Sequence, residues 1–149
     1  MIQARETILV AQPLEATFHY ISDMSHAALW DPSVITSRRL DHAPLAQGSR
    51  FALKLRAGLQ RLPVDYRIEV FEPHQRLEMI GRAPTFVAHD VVQISPKDAG
   101  TLIDWTLNLE MLGPYAIAEP LMGPFVRRMG RHAMRGLRQA LTEGLFEYV

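Results

Sequence analysis

The last third of the chain places a long amphipathic helix directly after a long amphipathic strand. Residues 101–111 alternate apolar and polar side chains, and a helical pattern follows Gly113 and Pro114. At about 100° per residue, five arginines share one arc of about 100° on this helix: Arg127, Arg128, Arg131, Arg135 and Arg138. Apolar and small residues occupy the opposite side: Met122, Val126, Met129, Ala133, Gly136, Leu137 and Ala140. A helix with one apolar stripe must cover another layer, and the preceding strands are the available partner.

Period-two alternation also identifies the buried face of the preceding strands. We predict strands at residues 7–11, 34–40, 50–57, 63–71, 76–82, 86–94 and 101–111, and short helices at 14–21 and near 25–29. The clearest inward sets are Phe51, Leu53 and Leu55, then Val64, Tyr66, Ile68 and Val70, then Ile103, Trp105, Leu107, Leu109 and Met111. Short turns predict antiparallel pairs. The sequence therefore predicts an α+β fold: one strand, two short helices, six strands, and a long C-terminal helix that covers one face of the sheet.

Length and composition indicate one globular domain over residues 1–149. The 48% apolar and 21% charged residues are typical of such a domain, and sixteen basic residues balance sixteen acidic ones, which gives no support to nucleic-acid binding. The chain has no cysteine, which excludes disulfides, thiolate catalysis and cysteine-held metals. No apolar run could span a membrane and the first residues do not resemble a signal peptide, so we expect a cytoplasmic protein without integral membrane association.

The small residues of the helical stripe bear on whether the covered face encloses a cavity. Ala133, Gly136 and Ala140 either let the backbone approach closely or leave room for a guest molecule, and packing principles favour neither reading. Because proline inside a helix costs about 3 kcal/mol, the regular helix is predicted to begin near Pro124. Residues 115–123 would then form a separate segment, either a corner of the chain or a gate beside the cavity.

Several short motifs, taken in their order along the chain, resemble one known family. They are Phe18-His19-Tyr20-Ile21-Ser22-Asp23, Trp30-Asp31-Pro32-Ser33-Val34, Gly48-Ser49-Arg50-Phe51, and Gly100-Thr101 leading to Trp105, before the C-terminal helix. Over about residues 8–141 the chain resembles the polyketide cyclase/dehydrase and lipid-transport family of the START and pollen-allergen-like helix-grip superfamily (SRPBCC). The resemblance implies a seven-stranded curved antiparallel sheet wrapped around a long C-terminal helix, with a cavity for apolar or aromatic molecules. It implies no shared catalytic set.

Alternation along residues 86–94 points one carboxylate toward the covered face. Phe86, Ala88 and Asp90 share the inward side, and His89 lies outward. A carboxylate among apolar walls would have a raised pKa and could act as an acid, a base or a hydrogen-bond anchor, with Tyr66 as its companion. The alternatives are a strand bulge that exchanges His89 and Asp90, or a purely structural hydrogen bond.

The predicted binding residues combine the inward strand positions with the helical stripe. Trp105 is the preferred stacking surface, whereas Trp30 is expected to be a structural plug, and His132 lies at the edge of the stripe. The predicted lining is Phe51, Leu53, Leu55, Tyr66, Ile68, Met79, Phe86, Ala88, Asp90, Trp105, Leu107, Met122, Val126, Met129, Ala133 and Leu137. The six histidines lack metal-ligand spacing and no nucleotide-binding motif is present, so we predict no metal and no cofactor.

Three functions are compatible with the sequence. The leading hypothesis is that an apolar, aromatic or lipid-like small molecule binds between sheet and helix. The first alternative is a cyclase or dehydratase in which Asp90 and Tyr66 move protons, and a second inward ionisable group near Asp90 would favour it. A protein-partner or quinone-chaperone module is the second alternative, and a homo-oligomer is left open. The arginine face is interpreted as solvated surface, with acidic lipid headgroups or an acidic partner as alternatives.

Overall fold

The computed structural model describes residues 1–142 and confirms the predicted order of helices and strands. The two short 3₁₀ segments are Met24–His26 and Gly113–Ala118. The helices are α1 (Leu14–Ser22), α2 (Ala27–Trp30) and α3 (Glu119–Thr142). The strands are β1 (Ile2–Val10), β2 (Val34–Arg39), β3 (Arg50–Ala57), β4 (Gln60–Glu72), β5 (Arg76–Arg82), β6 (Phe86–Lys97) and β7 (Gly100–Met111).

The seven strands form one antiparallel sheet in the order β1-β7-β6-β5-β4-β3-β2. From β2 to β7 each strand pairs with its sequence neighbour, as the short turns predict. The remaining pair joins the two ends of the sequence, because β1 pairs with β7 in a register that sets Ile2 opposite Leu109 and Glu6 opposite Trp105. β1 therefore forms an edge of the sheet and brings its inward residues against α3.

Helix α3 begins earlier than the sequence predicts. It starts at Glu119, so the predicted start near Pro124 is wrong. Pro120 lies in the first turn of α3, where a backbone N–H would have no intrahelical hydrogen-bond partner, so proline loses no bond there. Pro124 lies inside the helix. The Glu119 carboxylate holds this end in place, because it accepts hydrogen bonds from the Met1 ammonium at 2.8 Å and from the Met111 N–H at 3.1 Å. The gate hypothesis for residues 115–123 stays a prediction.

The small residues of α3 allow close packing at one position and leave open space at another, which are the two alternatives that the sequence left open. At Gly136 the helix closes directly on α2, since a Cβ placed there would lie 1.9 Å from the Trp30 carbonyl oxygen. Ala133, one turn earlier, borders open space instead. The five arginines are all exposed, and Val126, Leu137 and Ala140 are buried, as the helical pattern predicts.

Candidate ligand-binding site

A cavity of about 300 Å³ lies between α3 and the concave face of the sheet. Most of its wall is apolar. The predicted lining residues that lie on this wall are Leu53, Leu55, Tyr66, Phe86, Ala88, Asp90, Trp105, Leu107, Met122, Val126, Met129 and Ala133. Strand parity and helical phase therefore bring most of the predicted set together around one space.

Four predicted lining residues do not reach the cavity. Phe51, Ile68, Met79 and Leu137 are fully buried in the hydrophobic core and are absent from the cavity wall. All four point to the covered side, as alternation predicts for the three strand residues and helical phase predicts for Leu137. Alternation identifies that side of a strand, but it does not show which part of the side other residues cover and which part stays open.

The cavity wall also contains residues that the sequence analysis did not select. Leu62, Leu109 and Met111 follow the same strand parity and could have been included, as could Glu6, which lies opposite Trp105. The others come from β1 and the ends of β2, β3 and β4 (Ala4, Val34, Arg56, Ala57 and Gln60), from α2 and the 3₁₀ segments (Trp30, Met24 and Tyr115), from loops (Asp31, Ser33 and Thr85) and from α3 beside its predicted stripe (Phe125, Gly130 and Met134).

Asp90 is the polar centre of the cavity. β6 has no bulge at this position, so the carboxylate faces inward and His89 faces outward, where its Nε2 lies 2.9 Å from Glu78 Oε1. Trp105 Nε1–H donates to Asp90 Oδ2 at 2.7 Å, and the Tyr66 hydroxyl approaches Asp90 Oδ1 at 3.5 Å. The indole bond is short and orients the carboxylate, whereas the tyrosine contact is long enough to exchange for another partner.

Burial raises the pKa of Asp90 to about 6. The hydrogen bond from Trp105 acts in the opposite direction, and the negative charge of Asp31 raises the pKa further. The pKa of Tyr66 is raised well above its ordinary value, first by burial and then by the charges of Asp90 and Asp31. At neutral pH the cavity therefore holds a mainly ionised carboxylate beside a protonated phenol.

Asp31 places another carboxylate on the cavity wall, in addition to Asp90 and Glu6. It follows α2, and its Oδ1 accepts hydrogen bonds from the Ser33 N–H at 2.9 Å and the Ser33 hydroxyl at 2.7 Å. Burial raises the pKa of Asp31, and these two bonds lower it by less. Within residues 1–142 no group donates to Asp31 Oδ2. With Glu6, it supplies the further inward ionisable groups that the sequence did not reveal, and the position of Asp31 in a loop is why periodicity missed it.

Trp30 is both a packing residue and part of the cavity wall. Its ring lies edge-on to Trp105, with ring centroids 5.6 Å apart and an interplanar angle of 63°. Its backbone carbonyl meets α3 at Gly136, and its indole N–H is buried without a hydrogen-bond partner among the described residues. The two indoles together give the inner part of the cavity an aromatic lining.

The exposed lining residues mark the mouth of the cavity: Arg56, Gln60, Tyr115 and Phe125. In an antiparallel sheet the β3–β4 turn, the β5–β6 turn and the end of β7 lie at the same end, and the bond from Leu112 N–H to Thr85 O at 2.9 Å joins two of them. Asp90 lies four residues along β6 from Phe86, roughly 13 Å from this end. A ligand that enters at the mouth would meet the carboxylate deep inside.

His132 does not line the main cavity. It is exposed and borders a second, shallower hollow beside the mouth, together with Arg56, Gly58 and Phe125. Within residues 1–142 no three His, Asp or Glu side chains come together as metal ligands would. No helix in that part of the chain has the length and hydrophobicity of a membrane-spanning segment.

The sequence of this protein matches the family model described as polyketide cyclase/dehydrase and lipid transport, over residues 1–148. The chain belongs to this family. No curated protein matches the sequence.

Solved structures share the helix-grip fold of this chain at low sequence identity. A START superfamily protein from Mycobacterium smegmatis is 16% identical over 99% of both chains, with a TM-score of 0.72. The Zhui aromatase/cyclase from Streptomyces sp. R1128 is 13% identical over 97% of this chain and 93% of its own, with a TM-score of 0.74. Ara h 8.0201 is 9% identical over 93% of this chain and 96% of its own, with a TM-score of 0.69.

Proposed function

We propose that this member of the polyketide cyclase/dehydrase and lipid-transport family binds a compact, apolar, aromatic molecule that carries a hydrogen-bond donor. The observation that carries the proposal is the position of Asp90, an oriented carboxylate deep in a mostly apolar cavity. Family membership and the helix-grip fold support hydrophobic-ligand binding in general. The chemistry of the cavity narrows the ligand.

The size and lining of the cavity define the body of the ligand. About 300 Å³ is at the lower end of the range for small-molecule pockets, which favours a compact guest over a long acyl chain. Trp30 and Trp105 offer aromatic surface, and Met122 and Met129 offer adaptable apolar walls from α3. A planar ring system would bury its faces against these side chains.

The inner polar groups define the functional group of the ligand. Asp90 has an oxygen with only a weak contact from Tyr66, and Asp31 Oδ2 has no donor within the described residues. Each of these oxygens can accept a hydrogen bond. A hydroxyl or N–H group on the ligand would satisfy one of them, whereas a ligand carboxylate would be repelled.

Filling the cavity is expected to weaken binding strongly without unfolding the protein. The probe is N-phenyl-1-naphthylamine, a neutral aromatic amine with one N–H, whose fluorescence increases in apolar surroundings. In Ala133→Leu the added atoms would enter the open space beside α3, so the affinity for the probe should fall at least about tenfold, or about 1.4 kcal/mol. The melting temperature should change little, because the atoms fill a void.

The matched control is Ala28→Leu, which makes the same change at an exposed position of α2. It should bind the probe as the wild type does. Binding that survives in Ala133→Leu, or that is lost equally in both variants, would place the probe outside the cavity and contradict the proposal.

A cyclase or dehydratase activity is the second candidate, and the pair Asp90 and Asp31 favours it. A carboxylate with a pKa of about 6 is poised to accept a proton near neutral pH. Asp90 would take the proton from a carbon next to a ligand carbonyl, and the Tyr66 hydroxyl would donate a hydrogen bond to the resulting enolate oxygen. The enolate carbon then regains a proton or attacks a second carbonyl of the same molecule, which closes a ring.

Deuterium uptake tests this step without the natural substrate. We expect the wild type to accelerate exchange at the carbon beside the carbonyl of α-tetralone in D₂O at least about a hundredfold over buffer, at the low end of general-base catalysis. Asp90→Asn should reduce the rate to that of buffer, and Asp65→Asn, on the outer face of β4, should retain it. A wild-type rate equal to that of buffer would eliminate the enzyme candidate and leave binding intact.

A further inference from the structure

Large apolar side chains project into solvent around the mouth of the cavity. Leu59 at the tip of the β3–β4 turn is fully exposed, and Ile117 and Leu121 are 85% and 83% exposed. Tyr115 and Phe125 are about half exposed and line the cavity as well. Gly58 and Phe125 border the same shallow hollow, which shows that the turn and α3 face each other across the mouth. We refer to Leu59, Tyr115, Ile117, Leu121 and Phe125 as the mouth surface.

Exposed arginines flank the mouth surface on both sides. Arg56 and Arg61 lie opposite each other on β3 and β4, directly below Leu59. On α3, Arg128 follows Phe125 by three residues and so shares its side of the helix, and the other arginines of the five continue away from the mouth. No acidic side chain of residues 1–142 pairs with any of these arginines. The only acidic residue of α3, Glu119, is occupied by the Met1 ammonium.

The charge pattern decides between the available partners. A second copy of this chain would set one group of arginines against another, which opposes association through this surface. The apolar side chains also project singly from a turn, a 3₁₀ segment and a helix, and they form no groove for a partner helix or strand. Separate apolar side chains flanked by arginines are suited to a lipid bilayer, which is fluid, has an apolar interior and can carry anionic headgroups.

We propose that the mouth surface docks reversibly on anionic lipid membranes. Leu59, Ile117 and Leu121 would enter the headgroup region while the arginines contact lipid phosphates and carboxylates. Apolar insertion alone or basic residues alone would give weak membrane binding, but the two together give stable peripheral binding. The cavity would then open toward the bilayer, so that a poorly soluble molecule could pass between lipid and protein without crossing water. The docking does not depend on the identity of the ligand.

Vesicle co-sedimentation tests the proposal with two matched sets of variants. We expect the wild type to bind vesicles of phosphatidylcholine with about 30% phosphatidylserine and to lose binding at high salt or on pure phosphatidylcholine. Ile117→Ser combined with Leu121→Ser should weaken binding at least about tenfold, as should Arg128→Gln combined with Arg131→Gln. The control is Leu9→Ser combined with Leu40→Ser, which removes exposed apolar side chains at the other end of the sheet and should bind as the wild type does.

Three results would overturn the proposal. Equal binding to neutral and anionic vesicles would remove the role of the arginines, and equal losses in the mouth and control variants would show non-specific adsorption. A dimer in sedimentation velocity that the mouth substitutions dissociate would assign the surface to a second copy of the chain. Failure of vesicle binding would leave the probe-binding result on Ala133→Leu unaffected, so the two proposals can fail separately.

Discussion

Replacing Gly136 with alanine is expected to lower the free energy of unfolding by about 3 kcal/mol, because the new Cβ cannot fit between α3 and α2. It would lie 1.9 Å from the Trp30 carbonyl oxygen and 3.0 Å from the carbonyl carbon, and both are backbone atoms that cannot rotate away. The two helices must separate instead. For a domain of this length the melting temperature should fall by roughly 6–12 °C, measured by circular dichroism or calorimetry.

Gly130→Ala is the matched control on the same helix. A Cβ at this position would meet only the Ala4 Cβ, at 3.6 Å, which is ordinary contact. Because alanine favours a helix over glycine by about 1 kcal/mol, this variant should be as stable as the wild type or slightly more stable. A destabilisation of similar size in both variants would contradict the close contact at Gly136. Since Trp30 also borders the cavity, Gly136→Ala should in addition weaken probe binding.

Replacing Asp90 with asparagine is expected to stabilise the protein at pH 7 by up to about 3 kcal/mol. The pKa of Asp90 is about 6 in the folded protein, against an ordinary value of 3.8. Between these values the folded state holds a proton that the unfolded state has released, so the contribution of Asp90 to stability is full below about pH 4. It decreases as the pH rises to about 6. Asparagine keeps an acceptor for the Trp105 N–H and never ionises.

Denaturant unfolding at several pH values tests this expectation. The difference in stability between Asp90→Asn and the wild type should be smallest at pH 4 and should grow up to about pH 6, then stay constant. Asp41, Glu78 and Glu119, whose pKa values are lowered, act in the opposite direction, but both proteins contain them and their effect cancels. In an Asp31→Asn background the whole transition should move to lower pH, because the charge of Asp31 helps to raise the pKa of Asp90.

Two parallel pH profiles would contradict this account of the cavity. The expected profile matters for function, because it would show that the fold keeps an ionised carboxylate in apolar surroundings at a cost to stability. A carboxylate held in this way is a common property of binding and catalytic sites. The proposals of ligand anchoring and of proton transfer both depend on this group.

The architecture could be predicted from the sequence because it depends on the local periodicity of the apolar residues. Alternation in residues 50–57, 63–71 and 101–111 gave the concave face, and the helical phase of α3 separated the arginines from the buried stripe. The inward direction of Asp90 followed from the same rule, since β6 has no bulge there. Each of these predictions depends only on neighbours along the chain.

The start of α3 was not predictable in the same way. Pro124 weakens a helix locally, and a rule based on single residues places a boundary there. The long-range bonds of Glu119 to Met1 and to the end of β7 hold the first turn in place despite the two prolines. Such a bond joins residues 118 positions apart, and no local pattern contains it.

By itself, the sequence determined which face of each strand and helix is buried, because the side chains that alternate or recur every turn carry that information. Only the tertiary structure decided where the covered face stays open. The open space exists because α3 closes on α2 at Gly136 but stands away from the sheet beside Ala133. The same packing brought Asp31, from a loop without periodicity, into the cavity of Asp90, and left Phe51 and Met79 in the solid core. A cavity depends on the distance between the helix and the sheet, and contacts between residues far apart in the chain set that distance.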